Sequence, residues 1–202
     1  MTGMASWSVM PRLYLVRHAR PAAGWGQDAD PGLDATGIRQ AQATADDLEK
    51  RLDRMPIYSS PLRRCRETAM PAEQAWNQRA ELFSAVAEIP APPLTLVSRA
   101  EWLTAAMRGS WAALQQSAPP GSPDYMQWRR NLLAALTALP HDSVIFSHFI
   151  AINVVVAAAR NVEDVVCFRP DHASVTTIET VGDAFKVIEL GRQADTTVLT
   201  RG

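Results

Sequence analysis

The chain has 202 residues, of which 47% are hydrophobic and 20% are charged, a composition typical of one globular domain with a full hydrophobic core. This balance excludes a disordered or fibrous chain. The formal net charge of −1 argues against a nucleic-acid binder, because such proteins need surplus positive charge to displace counterions from phosphates.

Cysteine usage and the hydropathy pattern indicate the compartment. Cys65 and Cys167 form no C-x-x-C pair, no metal-site spacing and no disulfide framework, which favours a reducing environment. Residues 1–12 lack the long apolar segment of a signal peptide, and the stretch from Ile150 to Ala159 is too short to span a bilayer. We therefore expect a cytoplasmic protein without a membrane partner, whose residues 1–11 form a loose tail.

The first predicted element is a strand with charged residues at its end. The apolar run from Leu13 to Val16 leads directly to Arg17 and His18. A second apolar run, Val144 to Phe146, leads to His148 just before a predicted helix. Because ligands of open α/β sheets bind beyond the carboxyl ends of the strands, we expect both histidines at a binding crevice.

The other predicted elements alternate between helix and strand, which predicts a three-layer α/β/α fold with a mostly parallel sheet. The final hairpin supplies an antiparallel edge strand, and residues 90–140 form a small helical cap insertion within a single domain of residues 1–202. The predicted elements after the first strand are a helix from Ala35 to Arg54 capped by Asp34, a strand from Met55 to Ser59, a helix from Pro61 to Arg79 capped by Ser60, helices from Arg99 to Gln116 and from Ser122 to Leu139, a strand and a helix after Ser143, and a hairpin of Ala173 to Thr180 with Ala184 to Leu190.

Five residues near predicted element ends suggest a common chemistry. Each alone has an ordinary structural explanation, but two histidines, two arginines and one carboxylate suit phosphoryl transfer. One histidine attacks phosphorus, cations hold the phosphoryl oxygens, and the carboxylate protonates the departing oxygen. The five residues are Arg17, His18, Arg64, Glu88 and His148.

Six ordered segments between Leu13 and Thr180 resemble the histidine phosphatase superfamily, also called the phosphoglycerate mutase-like family. Val16-Arg17-His18-Ala19 is similar to the family's Arg-His-Gly tripeptide at the end of its first strand. The further matching segments are Leu33 to Ala41, Ser59 to Ala69 with Arg64 as the phosphate arginine, Val86 to Ile89 around the proton donor, Ile145 to His148, and Asp171 to Thr176.

The resemblance implies a phosphatase that hydrolyses a small phosphomonoester, without a metal or organic cofactor, through a phosphohistidine on His18. A backbone acceptor at the other ring nitrogen would fix the tautomer of His18. Arg17, Arg64 and His148 would neutralise the charge of the transferring group. Glu88 would protonate the leaving oxygen and then deprotonate the attacking water. The implied partner is a small phosphorylated metabolite, and a twofold homodimer, the commonest soluble assembly, is left open.

Some positions depart from the family pattern. Ala19 and Phe149 replace glycines, which suggests a narrower phosphate pocket, and Pro21 and Gly24 replace the frequent Ser/Thr and Asn of the first loop. His172 replaces an asparagine, with two roles open: over the site or in a structural turn.

Two alternative functions are a mutase that returns the phosphoryl group to its substrate and a non-catalytic phospho-ligand-binding protein. Mutases of the family carry a longer insertion with an Arg-His-Tyr-Gly type signature, whereas Ile89 to Pro93 follows the acid here. Retention of all five residues favours a hydrolase over a binder.

Overall fold

The computed structural model describes residues 10–24 and 26–194. Residues 1–9 of the predicted tail lie outside the described residues, and Pro11 is buried with its carbonyl oxygen accepting a hydrogen bond from the Thr180 amide. The strands are β1 (Arg12–Arg17), β2 (Ile57–Ser59), β3 (Glu81–Leu82), β4 (Ser143–Ser147), β5 (Val175–Val181) and β6 (Ala184–Glu189). The α-helices are α1 (Ala35–Arg51), α2 (Arg63–Trp76), α3 (Leu96–Ala106), α4 (Trp111–Gln116), α5 (Tyr125–Thr137) and α6 (Phe149–Arg160), and a 3₁₀ turn covers Ser84–Val86.

Within the described residues the strands form one sheet in the order β3-β2-β4-β1-β5-β6. β1 to β4 run parallel, and the β5–β6 hairpin adds β5 antiparallel to β1. The predicted mostly parallel sheet with an antiparallel hairpin at its edge is thus confirmed. β4 lies between β1 and β2, so Ile145 pairs with both Leu15 and Tyr58. The carboxyl ends of these three strands therefore meet at one place.

The two faces of the sheet are covered by different helices, which confirms the three layers. Side chains alternate across a strand, so Leu15 of β1 faces a cluster formed with α4, α5 and α6. Val16, the next residue, faces the opposite cluster, which includes Leu48 of α1 and Ala69 of α2. None of the described helices is both long enough and apolar enough to cross a membrane.

The helices depart from the sequence prediction at two places. α2 begins at Arg63 with Leu62 as its N-cap, so the expected cap by Ser60 is wrong. The Ser60 hydroxyl accepts a hydrogen bond from the Leu62 amide at 3.3 Å and also contacts His148, as described below. The helix expected from Arg99 to Gln116 is divided into α3 and α4, because Ser110 caps α4 by accepting a hydrogen bond from the Ala113 amide.

Candidate active site

His18 follows β1 directly, at the edge where the parallel strands end. Its backbone N–H donates to the Ser147 carbonyl at 2.9 Å, which ties it to the end of β4. The next amide, of Ala19, donates to Thr68 Oγ1 on α2 at 2.9 Å. The backbone around His18 is therefore held by two elements besides its own strand.

The His18 imidazole is buried and its orientation is fixed by a backbone contact. Nδ1 lies 2.9 Å from the carbonyl oxygen of Ala19, the acceptor type that the sequence hypothesis required. A carbonyl oxygen only accepts, so Nδ1 carries the hydrogen and Nε2 is left with a free lone pair.

His148 is completely buried beside His18, with 5.3 Å between the ring centroids. Arg64 Nη2 lies 3.1 Å from His148 Nδ1, and because a guanidinium only donates, Nδ1 is an acceptor. His148 Nε2 therefore carries the hydrogen, 2.7 Å from Ser60 Oγ. Both ring nitrogens of His148 thus have protein partners.

The guanidinium of Arg17 is held by two hydrogen bonds and one aromatic ring. Its Nη1 donates to the Pro170 carbonyl at 2.8 Å, and its Nη2 lies 3.1 Å from His172 Nε2. Its guanidinium carbon stands 5.0 Å from the centre of the Phe149 ring, a cation–π contact. Among the described residues, the buried Nε of Arg17 has no hydrogen-bond partner.

Glu88 lies after the 3₁₀ turn and against the start of α6. Its Oε1 accepts hydrogen bonds from the amides of Ile89 at 3.0 Å and Ile150 at 3.1 Å. Burial raises the pKa of the Glu88 carboxyl above its ordinary value, and the backbone donors and arginines offset this only in part. Glu88 is therefore biased towards the protonated acid.

Burial also sets the charge of the basic groups. It lowers the pKa of His18 and His148 well below the ordinary value, and the charges of Arg17 and Arg64 lower both further. Burial lowers the pKa of Arg17 to about 10, so Arg17 remains cationic at neutral pH. The site thus combines neutral imidazoles with permanent positive charge.

A cavity of about 320 Å³ opens at these strand ends. Three of the predicted site residues, His18, Arg64 and Glu88, line it, whereas Arg17 and His148 do not. α3 closes one side with Leu96 and Arg99. The five predicted residues are thus gathered in one region, in which three reach the cavity and two lie behind it.

The two residues that replace family glycines do not enter this cavity. Ala19 is fully buried in a small cluster with Ala41 and Ala173, and Phe149 packs against the main core below Arg17. The expected narrowing of the pocket by these two side chains is therefore wrong. Pro21 and Gly24, the substitutes on the first loop, do line the cavity.

Three polar contacts of the site were not expected from the sequence. Ser60 bonds His148, Thr68 bonds the Ala19 amide, and His172 accepts from Arg17 with its ring 5.7 Å from that of His18. The spacing of Arg64 and Thr68 was an available signal, because residues four apart share one face of a helix. Nothing in the local sequence distinguishes Ser60 from an ordinary helix cap.

The described part of the chain contains no group of three His, Cys, Asp or Glu side chains arranged to hold a metal ion.

The sequence matches the model of a known protein family over most of its length. The model of the histidine phosphatase superfamily, branch 1, matches residues 13–193.

The chain belongs to the histidine phosphatase superfamily.

Several solved structures share the fold of this chain at low sequence identity. A mycobacterial glucosyl-3-phosphoglycerate phosphatase is 20% identical with a TM-score of 0.70, over 91% of this chain and 100% of that one. A candidate α-ribazole-5′-phosphate phosphatase of Escherichia coli K-12 is 19% identical with a TM-score of 0.70, over 91% and 97%. A phosphoglycerate mutase of Bacillus anthracis is 18% identical with a TM-score of 0.70, over 91% and 93%. No curated protein matches the sequence.

Proposed function

We propose that this histidine phosphatase family member hydrolyses a small phosphomonoester through a covalent phosphohistidine on His18. The observation that carries the proposal is the Nδ1 contact of His18 with the Ala19 carbonyl, on a ring that lines the cavity with Arg64 and Glu88. It leaves Nε2 unprotonated, which is the state that a nucleophilic nitrogen needs. The lowered pKa of His18 keeps the ring neutral at physiological pH.

Arg64 and Arg17 supply the positive charge for the phosphoryl oxygens. Arg64 reaches the cavity. Arg17, the residue before His18, has a buried Nε that lacks an acceptor in the described residues. An unpaired buried N–H costs free energy, which an anionic oxygen ligand would recover. His148, with both nitrogens engaged, orients Arg64 rather than contacting the phosphate in this arrangement.

Glu88 acts as the general acid and then as the general base. In the first step, His18 Nε2 bonds to phosphorus, the ester P–O bond breaks, and the Glu88 proton goes to the leaving alcohol oxygen. In the second step, water attacks phosphorus, Glu88 takes its proton, the bond between His18 Nε2 and phosphorus breaks, and inorganic phosphate leaves with the neutral His18 restored. The raised pKa of Glu88 favours the protonated acid that the first step requires.

The substrate in this proposal is a small phosphorylated metabolite, in keeping with the volume of about 320 Å³. We also propose that the protein works in the cytoplasm, since both cysteines are unpaired thiols, as in proteins of reducing compartments. The positive charge of the site comes from arginines, so thorough chelation of divalent metals should leave the rate unchanged.

The test is release of inorganic phosphate from a pair of esters, one with an activated aryl leaving group and one with an alkyl leaving group. His18→Ala should abolish turnover of both, because it removes the nucleophile that attacks phosphorus. Glu88→Gln should slow the alkyl ester by about 10²-fold or more and the aryl ester much less, since only the alkoxide needs a proton in order to leave.

Full activity of His18→Ala would overturn the covalent mechanism, and equal slowing of both esters by Glu88→Gln would remove the general-acid role. A mutase or a non-catalytic binder predicts no net phosphate release by the folded wild-type protein. Met70→Ala, an exposed substitution on α2 away from the cavity, provides a control that should retain wild-type rates.

A further inference from the structure

We propose that the alcohol part of the substrate is apolar, an alkyl or aryl group rather than a sugar or other polyol. The inference rests on the proposed phosphatase function and concerns the part of the cavity that lies beyond His18, Arg64 and Glu88. Twelve of the seventeen described residues that line the cavity are proline, alanine, glycine, leucine or isoleucine.

The absence of neutral polar side chains is more informative than the apolar majority, because most ligand pockets are largely apolar. Among the described residues of this wall there is no serine, threonine, asparagine, glutamine or tyrosine. These are the side chains that pair with hydroxyl groups in binding sites. Hydroxyls buried here would lose their hydrogen bonds to water without replacement, which is costly.

The backbone of the wall also lacks some of its donors. Four of the lining residues, Pro21, Pro31, Pro61 and Pro90, have no backbone N–H. Their pyrrolidine rings present carbon surface instead. The wall therefore favours ligands that gain free energy by removing apolar surface from water.

Two charged side chains remain on the wall outside the phosphate end, Arg99 and Asp28. Their formal charges are opposite, so they add no net charge that would select a second phosphate or carboxylate. The side chain of Arg99 is also held by the backbone just before α3, because its Nε donates to the Leu94 carbonyl at 3.0 Å. The rest of the wall therefore decides the preference.

The cavity size limits the alcohol to about one ring. An apolar cavity of about 150 Å³ holds benzene in other proteins. At about 320 Å³ this cavity accommodates a phosphoryl group and one body of that size. A single six-membered ring is thus the size of alcohol to test.

The experiment compares cyclohexylmethyl phosphate with glucose 6-phosphate. Both esters join a six-membered ring to the phosphoryl group through one CH₂–O link, so they differ mainly in the hydroxyls and the ring oxygen. We expect kcat/KM for cyclohexylmethyl phosphate to be about 10²-fold higher than for glucose 6-phosphate. An activated aryl phosphate is measured in parallel to report phosphatase activity itself.

Two neighbouring substitutions on α3 test the wall directly. Leu96 lines the cavity, whereas Val97 is 65% exposed and does not. Leu96→Gln should reduce the preference for the cyclohexyl ester by about tenfold. Val97→Gln, the same change one residue along, should leave both kcat/KM values unchanged.

A preference for glucose 6-phosphate, or equal rates for the two esters, would overturn the inference and leave the phosphatase function standing. An equal effect of Leu96→Gln and Val97→Gln would likewise overturn the assignment of the wall. Hydrolysis of none of the three esters, the aryl phosphate included, would overturn the proposed function and the inference with it.

Discussion

The contact between Arg17 and His172 shows how one residue can fix the orientation of another in the proposed phosphate site. His172 Nε2 accepts from Arg17 Nη2 at 3.1 Å, and the Pro170 carbonyl holds Nη1 at 2.8 Å. These two acceptors fix the plane of the guanidinium. We infer that His172 is a positioning residue for Arg17, a role that differs from both of the roles that the sequence left open.

Substitution of His172 tests this role. His172→Leu removes the acceptor and should raise KM about tenfold, because a hydrogen bond to a charged group is lost. His172→Asn restores an acceptor oxygen and should recover most of the affinity. Steady-state kinetics separate KM from kcat, and a thermal melt checks folding. Equal kinetics for the Leu and Asn variants would contradict the role.

Local sequence gave different amounts of information about different site residues. Five residues were identified because each lies in a family-like segment, and all of them except Glu88 also lie at a strand end or near a helix start: Arg17, His18, Arg64, Glu88 and His148. The contacts of Ser60 and His172 depend on where distant elements pack, 88 residues apart for Ser60 and His148 and 155 for Arg17 and His172. No local pattern encodes such distances, and the same holds for the composition of the cavity wall.

Among the elements, α1 sets the position of the loop that follows His18. Asp34 caps α1 by accepting from the Gly37 amide at 2.7 Å, as its position in the sequence predicted. Gly37 also lies directly against the Arg20 carbonyl, and a Cβ at this position would overlap that oxygen. The close approach of helix and loop therefore requires glycine.

Gly37→Ala should destabilise the protein by about 1–3 kcal/mol, since the added methyl forces helix and loop apart. The loop after His18 also lines the cavity, so kcat/KM should fall together with the free energy of unfolding. Chemical denaturation measures the first effect. Gly109→Ala provides the control, because a Cβ there would meet its nearest atom at an ordinary 3.9 Å. Matching stabilities for the two variants would contradict this explanation.

The boundary between α3 and α4 is a feature that the sequence pattern did not predict. The segment was expected to be one helix, but the Trp111 amide donates to the Glu163 carbonyl and the Val165 amide donates to the Gly109 carbonyl. These bonds to a loop after α6 interrupt the helix at Gly109. These hydrogen bonds are tertiary contacts, and they override the local preference for helix.

At the scale of the whole molecule, burial of neutral histidines should make stability depend on pH. Burial lowers the pKa of His172 to about 4 and that of His18 and His148 well below 6.5. In the unfolded chain these groups take up protons near pH 6.5. Below that pH the unfolded state binds more protons than the folded state, so acidification favours unfolding.

Glu88 acts in the opposite direction, because its raised pKa stabilises the fold at low pH and this contribution is lost as pH rises. Three histidines oppose one carboxyl, so the urea midpoint should fall between about pH 7 and about pH 5. His172→Asn should reduce that slope. His141→Asn, which removes an exposed imidazole, is the matched control for this substitution. A midpoint that rises on acidification would contradict this prediction.

The placement of β4 between β1 and β2 has a consequence for protein synthesis. Both neighbours of β1, namely β4 and β5, come from the last third of the chain, and β2 gains its link to β1 only through β4. A nascent polypeptide that has not yet released residues 143–147 from the ribosome therefore has no assembled phosphate site, however long its helices have been folded. Catalytic competence should thus arise only after β4 and β5 have both left the ribosome, and shorter nascent chains should be inactive.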